Sequence, residues 1–302
     1  MPNTMSQPTS TSSPLRFDNR VAIVTGAGAG LGRAHALALA ARGAKVVVND
    51  MGNPQAVVDE IVAAGGQAMG FAGSVTDAEA MQRMADETMA RWGRIDILVN
   101  NAGILRDKSF SKMSLDDFRL VVDVHLMGAV NCTKAVWETM KTQQFGRIVF
   151  TTSSSGLFGN FGQANYGAAK MALVGLMQTL SLEGEKANIR VNCLAPTAAT
   201  QMTEGILTPE VLAQFQPERV TPGLLMLVGD EAPSRTILCA GAGTFAAAHV
   251  TLTEGLYLGA RPDAAEMLHA ELDQVHDRHG EVVPAYGMLQ SQRELSNATQ
   301  SR

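Results

Sequence analysis

Aromatic side chains are scarce in this chain: 5% of 302 residues, with two tryptophans and only three tyrosines. Cysteine is as rare. Cys132, Cys193 and Cys239 are odd in number, far apart and form no CxxC pair, which excludes a disulfide framework and a structural zinc site. Positive charge is not in excess, since 24 Lys and Arg face 29 Asp and Glu for a net charge of −5. No cationic surplus exists to neutralise a phosphate backbone, so nucleic acid is not an expected partner. No apolar run reaches the ~20 residues that cross a bilayer. The stretch from Met1 to Leu15 is polar and lacks the basic start and apolar middle of a signal peptide. What is plentiful is apolar content, 46% of the residues. A chain of this size buries roughly three quarters of its unfolded surface, which excludes disorder as its general state. The expectation is a soluble, cytoplasmic globular protein.

Residues 1–18 read as a flexible leader. From Arg20 onward, short β-branched runs alternate with helical stretches. Strands are predicted at Val21–Thr25, Lys45–Asn49, Gln67–Phe71, Ile95–Asn100, Arg147–Thr152 and Ile189–Leu194. Helices are predicted at Leu31–Arg42, Pro54–Ala64, Asp77–Trp92, Asp116–Thr142 and Ala164–Lys186. Strands apolar on both faces and alternating with helices imply a parallel sheet covered on both sides. Right-handed crossovers then give a doubly wound α/β fold of Rossmann type. With no repeat and no break in composition, residues 19–260 read as one domain. Beyond Pro262 an amphipathic, charged stretch, Asp263–Arg278, leads into a polar tail, so 261–302 is an appendage packed on the domain or on a neighbouring subunit.

The first predicted strand runs into Thr25-Gly26-Ala27-Gly28-Ala29-Gly30-Leu31-Gly32 and then a helix. Glycines there allow close backbone approach, and a helix amino terminus offers unpaired N–H donors to a pyrophosphate. The spacing is GxxxGxG, and such a turn also serves tight strand–helix packing alone. Asp50 follows Gly30 by 20 residues, at the end of the second strand. A carboxylate there accepts from the ribose hydroxyls of NAD and repels the 2′-phosphate of NADP. Residues 49–53, Asn-Asp-Met-Gly-Asn, hold no cation for that phosphate.

Tyr166 and Lys170 are four apart on a predicted helix and share a face. A tyrosine with a pKa near ~10 is a poor acid or base at neutral pH. A neighbouring ammonium is expected to lower it, making the phenol a usable proton carrier. YxxxK is common by chance, and a snorkelling surface Lys170 fits it equally. Context favours chemistry, because Ser153 lies 13 residues earlier at a predicted strand end and Asn100-Asn101-Ala102-Gly103 closes another strand. Carboxyl ends of parallel strands border the ligand crevice.

With these residues in place the chain resembles the short-chain dehydrogenase/reductase family through TGAGAGLG (25–32), NNAG (100–103), Ser153 and YGAAK (166–170), over about residues 17–260. The resemblance implies Tyr166 as acid/base, Lys170 as holder of the nicotinamide ribose and Ser153 as ligand of the substrate oxygen. It implies dinucleotide contacts at Gly26, Gly30, Leu31, Asn101, Ala102 and Gly103, adenine contacts at Ser74 and Val75, and closure over the nicotinamide by Ala198, Ala199, Thr200 and Gln201. The family usually has asparagine in a DVNLxG segment, supporting a water that relays protons to the lysine. Here DVHLMG (123–128) puts His125 in that place, open to relay or to plain packing.

Longer strings, including NNAGILRDKSF, GNFGQANYGAAK and IRVNCLAPTAATQMT, are similar to the subgroup of (3R)-hydroxyacyl-CoA dehydrogenase domains of type 2 multifunctional enzymes. That subgroup shares the DVHL pattern, and its relatives act as 17β-hydroxysteroid dehydrogenases. The implied reaction is NAD-dependent oxidation of an acyl-CoA or steroid alcohol by a stand-alone homo-oligomer, a dimer or tetramer built through the two long helices. Arg106, Lys108 and Lys112 are candidates for CoA phosphates or an ordinary solvated loop. Met202, Ile206, Leu207, Phe215 and Leu224–Val228 suit an apolar lid or a core. A silent NAD-binding scaffold is the reading from another class, and the intact Tyr/Lys pair weighs against it. His276 and His279 sit in the charged tail and no metal is expected.

Overall fold

The computed structural model describes residues 14–198 and 212–300. Two compact units divide the chain, one ending at Ala247 and one beginning at Ala248. The change of sequence pattern at Pro262 therefore comes some way after the structural division.

The first unit is built on one eight-stranded sheet in the order β3-β2-β1-β4-β5-β6-β7-β8. Its strands are β1 (Val21–Thr25), β2 (Lys45–Asp50), β3 (Gln67–Ala72), β4 (Ile97–Asn100), β5 (Gly146–Thr151), β6 (Ile189–Thr197), β7 (Ile237–Gly241) and β8 (Thr244–Ala248). From β3 to β7 every pairing is parallel, with Val24 opposite Val48 on one side and Val99 on the other. A two-residue turn, Ala242-Gly243 at positive φ, folds β8 back along β7. This doubly wound α/β sheet is the expected Rossmann-type fold.

Its helices are α1 (Gly30–Ala41), α2 (Gln55–Ala63), α3 (Ala78–Trp92), α4 (Leu115–Val122), α5 (Gly128–Gln143), α6 (Ser154–Phe158), α7 (Ala164–Gly184) and α8 (Thr221–Leu227). Alternate strand residues serve different faces. Ala22, Val24, Val46 and Val48 join Leu39 of α1, Ile61 of α2 and Leu224 of α8 in one core. Strands buried on both faces hold continuous apolar runs, which is why β1 (VAIVT) has no polar residue before its final threonine.

One expected element is corrected. The long helix Asp116–Thr142 is interrupted by a π-helical turn, Asp123–Met127, between α4 and α5. Hydrophobic spacing cannot reveal such a turn, since the chain stays helical on both sides and only the register of the ladder slips. The sequence reading also had no counterpart for α6, α8, β7 and β8.

The second unit holds three helices, α9 (Ala264–Ala270), α10 (Leu272–His276) and α11 (Met288–Gln300), and one antiparallel bridge, Leu252 to Val282. Among the described residues no helix is long and apolar enough to cross a membrane.

Candidate active site

Strand order reverses between β1 and β4, and the loops beyond the carboxyl ends of neighbouring strands splay apart there. A cleft of about 620 Å³ opens at this point. Its floor at one end is the Gly-rich turn. Gly26 has φ +59°, and a Cβ on it would lie 2.7 Å from the Ala102 Cα. Asn101 locks the turn from the β4 side, its amide donating to the carbonyls of Thr25 and Gly26, both at 3.0 Å. No side chain caps α1, so its first N–H groups are available to an anion. Asp50 leans over the same turn, accepting from the Gly28 N–H at 2.9 Å and the Gly52 N–H at 2.8 Å.

The other end of the cleft carries the titratable groups. Ser153 closes β5 as the N-cap of α6, its Oγ accepting from the Ser155 N–H at 3.2 Å. Tyr166 lies in the first turn of α7, with its ring 5.1 Å from that of His125 in an edge-on arrangement. One helical turn on, Lys170 is 3% exposed and donates from Nζ to the Thr151 carbonyl at 2.5 Å. Its ammonium sits 5.4 Å from the Tyr166 ring centroid.

Burial governs the electrostatics of this end. It pushes Lys170 down to about 7, with a small opposing effect from Cys193. It also raises the Tyr166 phenol, as does the Asp107 charge, while the Ser153 hydroxyl opposes the rise. The lowering of Tyr166 by Lys170 expected from spacing alone is thus corrected: burial raises the phenol, Lys170 is not among the groups that shift it, and burial lowers the ammonium itself. His125 is driven down to about 3, by burial first and by Lys170 second, so its imidazole is neutral. Nε2 lies 2.8 Å from the Ile104 carbonyl and 3.0 Å from the Ile104 N–H, while Nδ1 is buried without a partner. Beside it is a small cavity of about 10 Å³, bordered also by Lys170, Asn100 and Thr25.

Glycine turn, uncapped helix end and overhanging carboxylate together fit a dinucleotide lying along the cleft, with the phenol–lysine–serine group at its far end. Comparison with known proteins agrees. Residues 20–210 match the family profile described as short chain dehydrogenase. The chain belongs to the short-chain dehydrogenase family. Its peroxisomal hydratase-dehydrogenase-epimerase relative from Saccharomyces cerevisiae is 50% identical over 243 residues, covering 76% of this chain but 27% of the yeast protein. The chain therefore spans about a quarter of that relative's length. The solved full-length peroxisomal multifunctional enzyme type 2 of Drosophila melanogaster superposes with a TM-score of 0.81 at 38% identity, covering 95% of this chain and 50% of that one. A 7α-hydroxysteroid dehydrogenase solved with NADH and 7-oxo glycochenodeoxycholic acid superposes with a TM-score of 0.70 at 32% identity, over 76% of this chain and 95% of that one. The family is one of oxidoreductases acting on CH–OH groups.

The cleft gathers Gly26, Gly30, Leu31, Asp50, Asn101, Ala102, Gly103, His125, Ser153, Tyr166, Lys170 and Ala198. Ser74 and Val75 do not line it. The Ser74 hydroxyl pairs with Thr76 at 2.8 Å, and Val75 is buried against the position a Cβ on Gly128 would take. Ala199, Thr200 and Gln201 lie outside the described residues. Among those described, no group of three or more His, Cys, Asp or Glu is placed to hold a metal ion. Sequence reasoning missed Asp107, Ser155, Asn160 and Gln163, all on the cleft wall. The available signal was a polar side chain at the cap position of the Tyr166 helix.

Proposed function

We propose that the dehydrogenase oxidises a secondary alcohol with NAD, and that its substrate is a (3R)-hydroxyacyl-CoA. The observation that carries the chemistry is the convergence of Ser153, Tyr166 and Lys170 at one end of a cleft whose other end is the Gly-rich turn. NAD, when bound, supplies the hydride acceptor. Ser153 holds the substrate hydroxyl oxygen, and Tyr166 takes its proton. Lys170 holds the nicotinamide ribose and stabilises the phenolate once the cleft is filled. His125, with a bare Nδ1 facing the small cavity it shares with Lys170, receives protons in relay. The remaining contacts to the dinucleotide are assigned to Gly26, Gly30, Leu31, Asn101, Ala102, Gly103 and Ala198.

Preference for NAD over NADP rests on Asp50. Its carboxylate closes β2 beside the turn, residues 51–53 bring no cation, and Arg33 on α1 is held by Glu60. The acyl-CoA reading is supported by the likeness to hydratase-dehydrogenase-epimerase and multifunctional-enzyme chains, and a hydroxysteroid is the rival raised by the other structural likeness. Assembly as a homo-oligomer is supported by Leu115, Leu120, Met127, Met171 and Leu182, apolar side chains exposed on or between α4, α5 and α7.

The test is reduction of NAD, and separately of NADP, by (3R)-hydroxyoctanoyl-CoA and by 17β-estradiol, with Tyr166→Phe as control. We expect turnover with the CoA ester and NAD, and loss of at least about a hundredfold in the variant. Turnover of estradiol alone would transfer the assignment to steroids. Failure of both alcohols while NAD binds would remove both substrates.

A further inference from the structure

The wall of the cleft opposite the Gly-rich turn is held by one continuous chain of hydrogen bonds. Asp107, exposed in the loop after β4, accepts from the Gln163 amide at 2.6 Å. Only the NH2 end of that amide can face a carboxylate, so the Gln163 carbonyl must turn the other way. There it accepts from the Ser155 hydroxyl at 2.7 Å and from the Asn160 amide at 3.1 Å. Ser155 in turn aims its backbone N–H at the Ser153 Oγ. With one lone pair engaged there, the Ser153 hydroxyl proton is free to be donated on the cleft side, where Tyr166 lies. The same loop is stitched to the Tyr166 helix twice more, by the Asn165 amide on the Arg106 carbonyl at 3.1 Å and the Lys108 N–H on the Gly162 carbonyl at 2.9 Å.

We propose that Asp107 and Gln163 are a positioning pair, which acts through Ser155 to orient the Ser153 hydroxyl and holds the Tyr166 end of α7 against the loop after β4. Neither residue need touch the substrate. The inference rests on the dehydrogenase reading of the cleft. It has an electrostatic consequence that a purely structural tie lacks. Tyr166 is faced by Lys170 from its own helix, neutral His125 from the π-helical turn, Ser153 from the end of β5 and Asp107 from the loop. The loop's cations, Arg106 and Lys108, are turned toward Asp117 instead, at 3.9 and 3.3 Å. Asp107 is thus the one carboxylate among these groups, and it disfavours the phenolate.

The experiment exchanges the partners. Gln163→Glu keeps an acceptor for Ser155 but sets two carboxylates against each other. Asp107→Asn alone removes the charge. Together, D107N and Q163E rebuild the bond with donor and acceptor reversed. In oxidation of (3R)-hydroxyoctanoyl-CoA with NAD, Gln163→Glu is expected to lose about tenfold in kcat with KM changed less than about threefold. The double variant should recover to within about threefold of the parent. For Asp107→Asn, the rising limb of kcat/KM moves to lower pH, giving about threefold faster turnover below the limb, the size expected of one removed charge in a half-exposed site.

A double variant no better than Gln163→Glu alone, or four proteins sharing one pH profile, overturns the proposal. If the parent turns over no alcohol, the function assignment fails separately. The same four proteins are then compared by ultraviolet titration of tyrosinate, with Tyr166→Phe subtracted to isolate one of three tyrosines. A Tyr166 titration that stays put in Asp107→Asn overturns the proposal there too.

Discussion

His125 and His35 differ in what surrounds them, although burial drives both to a pKa of about 3. His35 packs inside α1 with Nδ1 3.0 Å from the Thr221 hydroxyl and Nε2 unpartnered, and it does not line the cleft. His125 faces Tyr166 and the cavity beside Lys170. Both are neutral in the folded chain and take up a proton near pH 6.5 once unfolded, so between pH 6.5 and 3 the unfolded state binds more protons. Stability is therefore whole above pH 6.5 and falls as the pH drops toward 3, by about 1.4 kcal/mol per pH unit for each histidine. His35→Leu should flatten that acid slope in urea denaturation between pH 7 and 5 while kcat stays within about twofold. His125→Leu should flatten it equally but lower kcat about tenfold or more. Equal kcat in the two variants would reduce His125 to packing.

At the scale of elements, the site depends on how the loop after β4 fits the π-helical turn between α4 and α5. Gly103 ends the NNAG segment, and a Cβ there would collide with the His125 ring, reaching its Nδ1 at 3.0 Å. The ring cannot retreat without losing its contact with Ile104. Gly103→Ala should cost about 1–3 kcal/mol in urea denaturation, as overpacking of a filled site does. It should lower kcat by more than its stability loss explains, which steady-state kinetics on fully folded protein measures. The same pair shows where legibility stops. NNAG and DVHL were each readable as strings, because local composition marks a strand end and a helix. The one-residue slip of the π-helical turn that brings His125 under Gly103 leaves no mark in hydrophobic spacing. Nor did the Asp107–Gln163 bond, which joins residues 56 apart through side chains in loops. Tyr166 and Lys170, by contrast, were legible because one helical turn relates them, whereas their proton affinities depend on burial that only the packed sheet supplies.

Across the whole molecule the sheet has two ends with different work. Strand interiors and their alternation with helices were legible because a parallel sheet buried on both faces needs unbroken apolar runs, and the crevice was placed at the carboxyl ends of those strands, whereas their order came from the structure. The opposite end was not read at all, since its charges look like ordinary surface residues in sequence. There Asp96, fully buried, accepts from the Val21 N–H at 2.9 Å and pairs with Arg20 and Arg94, tying the start of β1 to the segment before β4. Beside it Arg147 is buried at the start of β5, its guanidinium bonded to the carbonyls of Gly229, Asp230 and Asn188. These groups clamp the strands far from the cleft, so their loss should reach function only through folding. Asp96→Ala strands a buried N–H and uncouples two arginines, and it should lower the unfolding free energy by about 3 kcal/mol in urea. At a temperature where the variant is still folded, kcat should stay within about twofold of the parent. A tenfold fall in kcat under those conditions would mean that the clamp sets the geometry of the cleft as well as its stability, and that the two ends of the sheet are mechanically one.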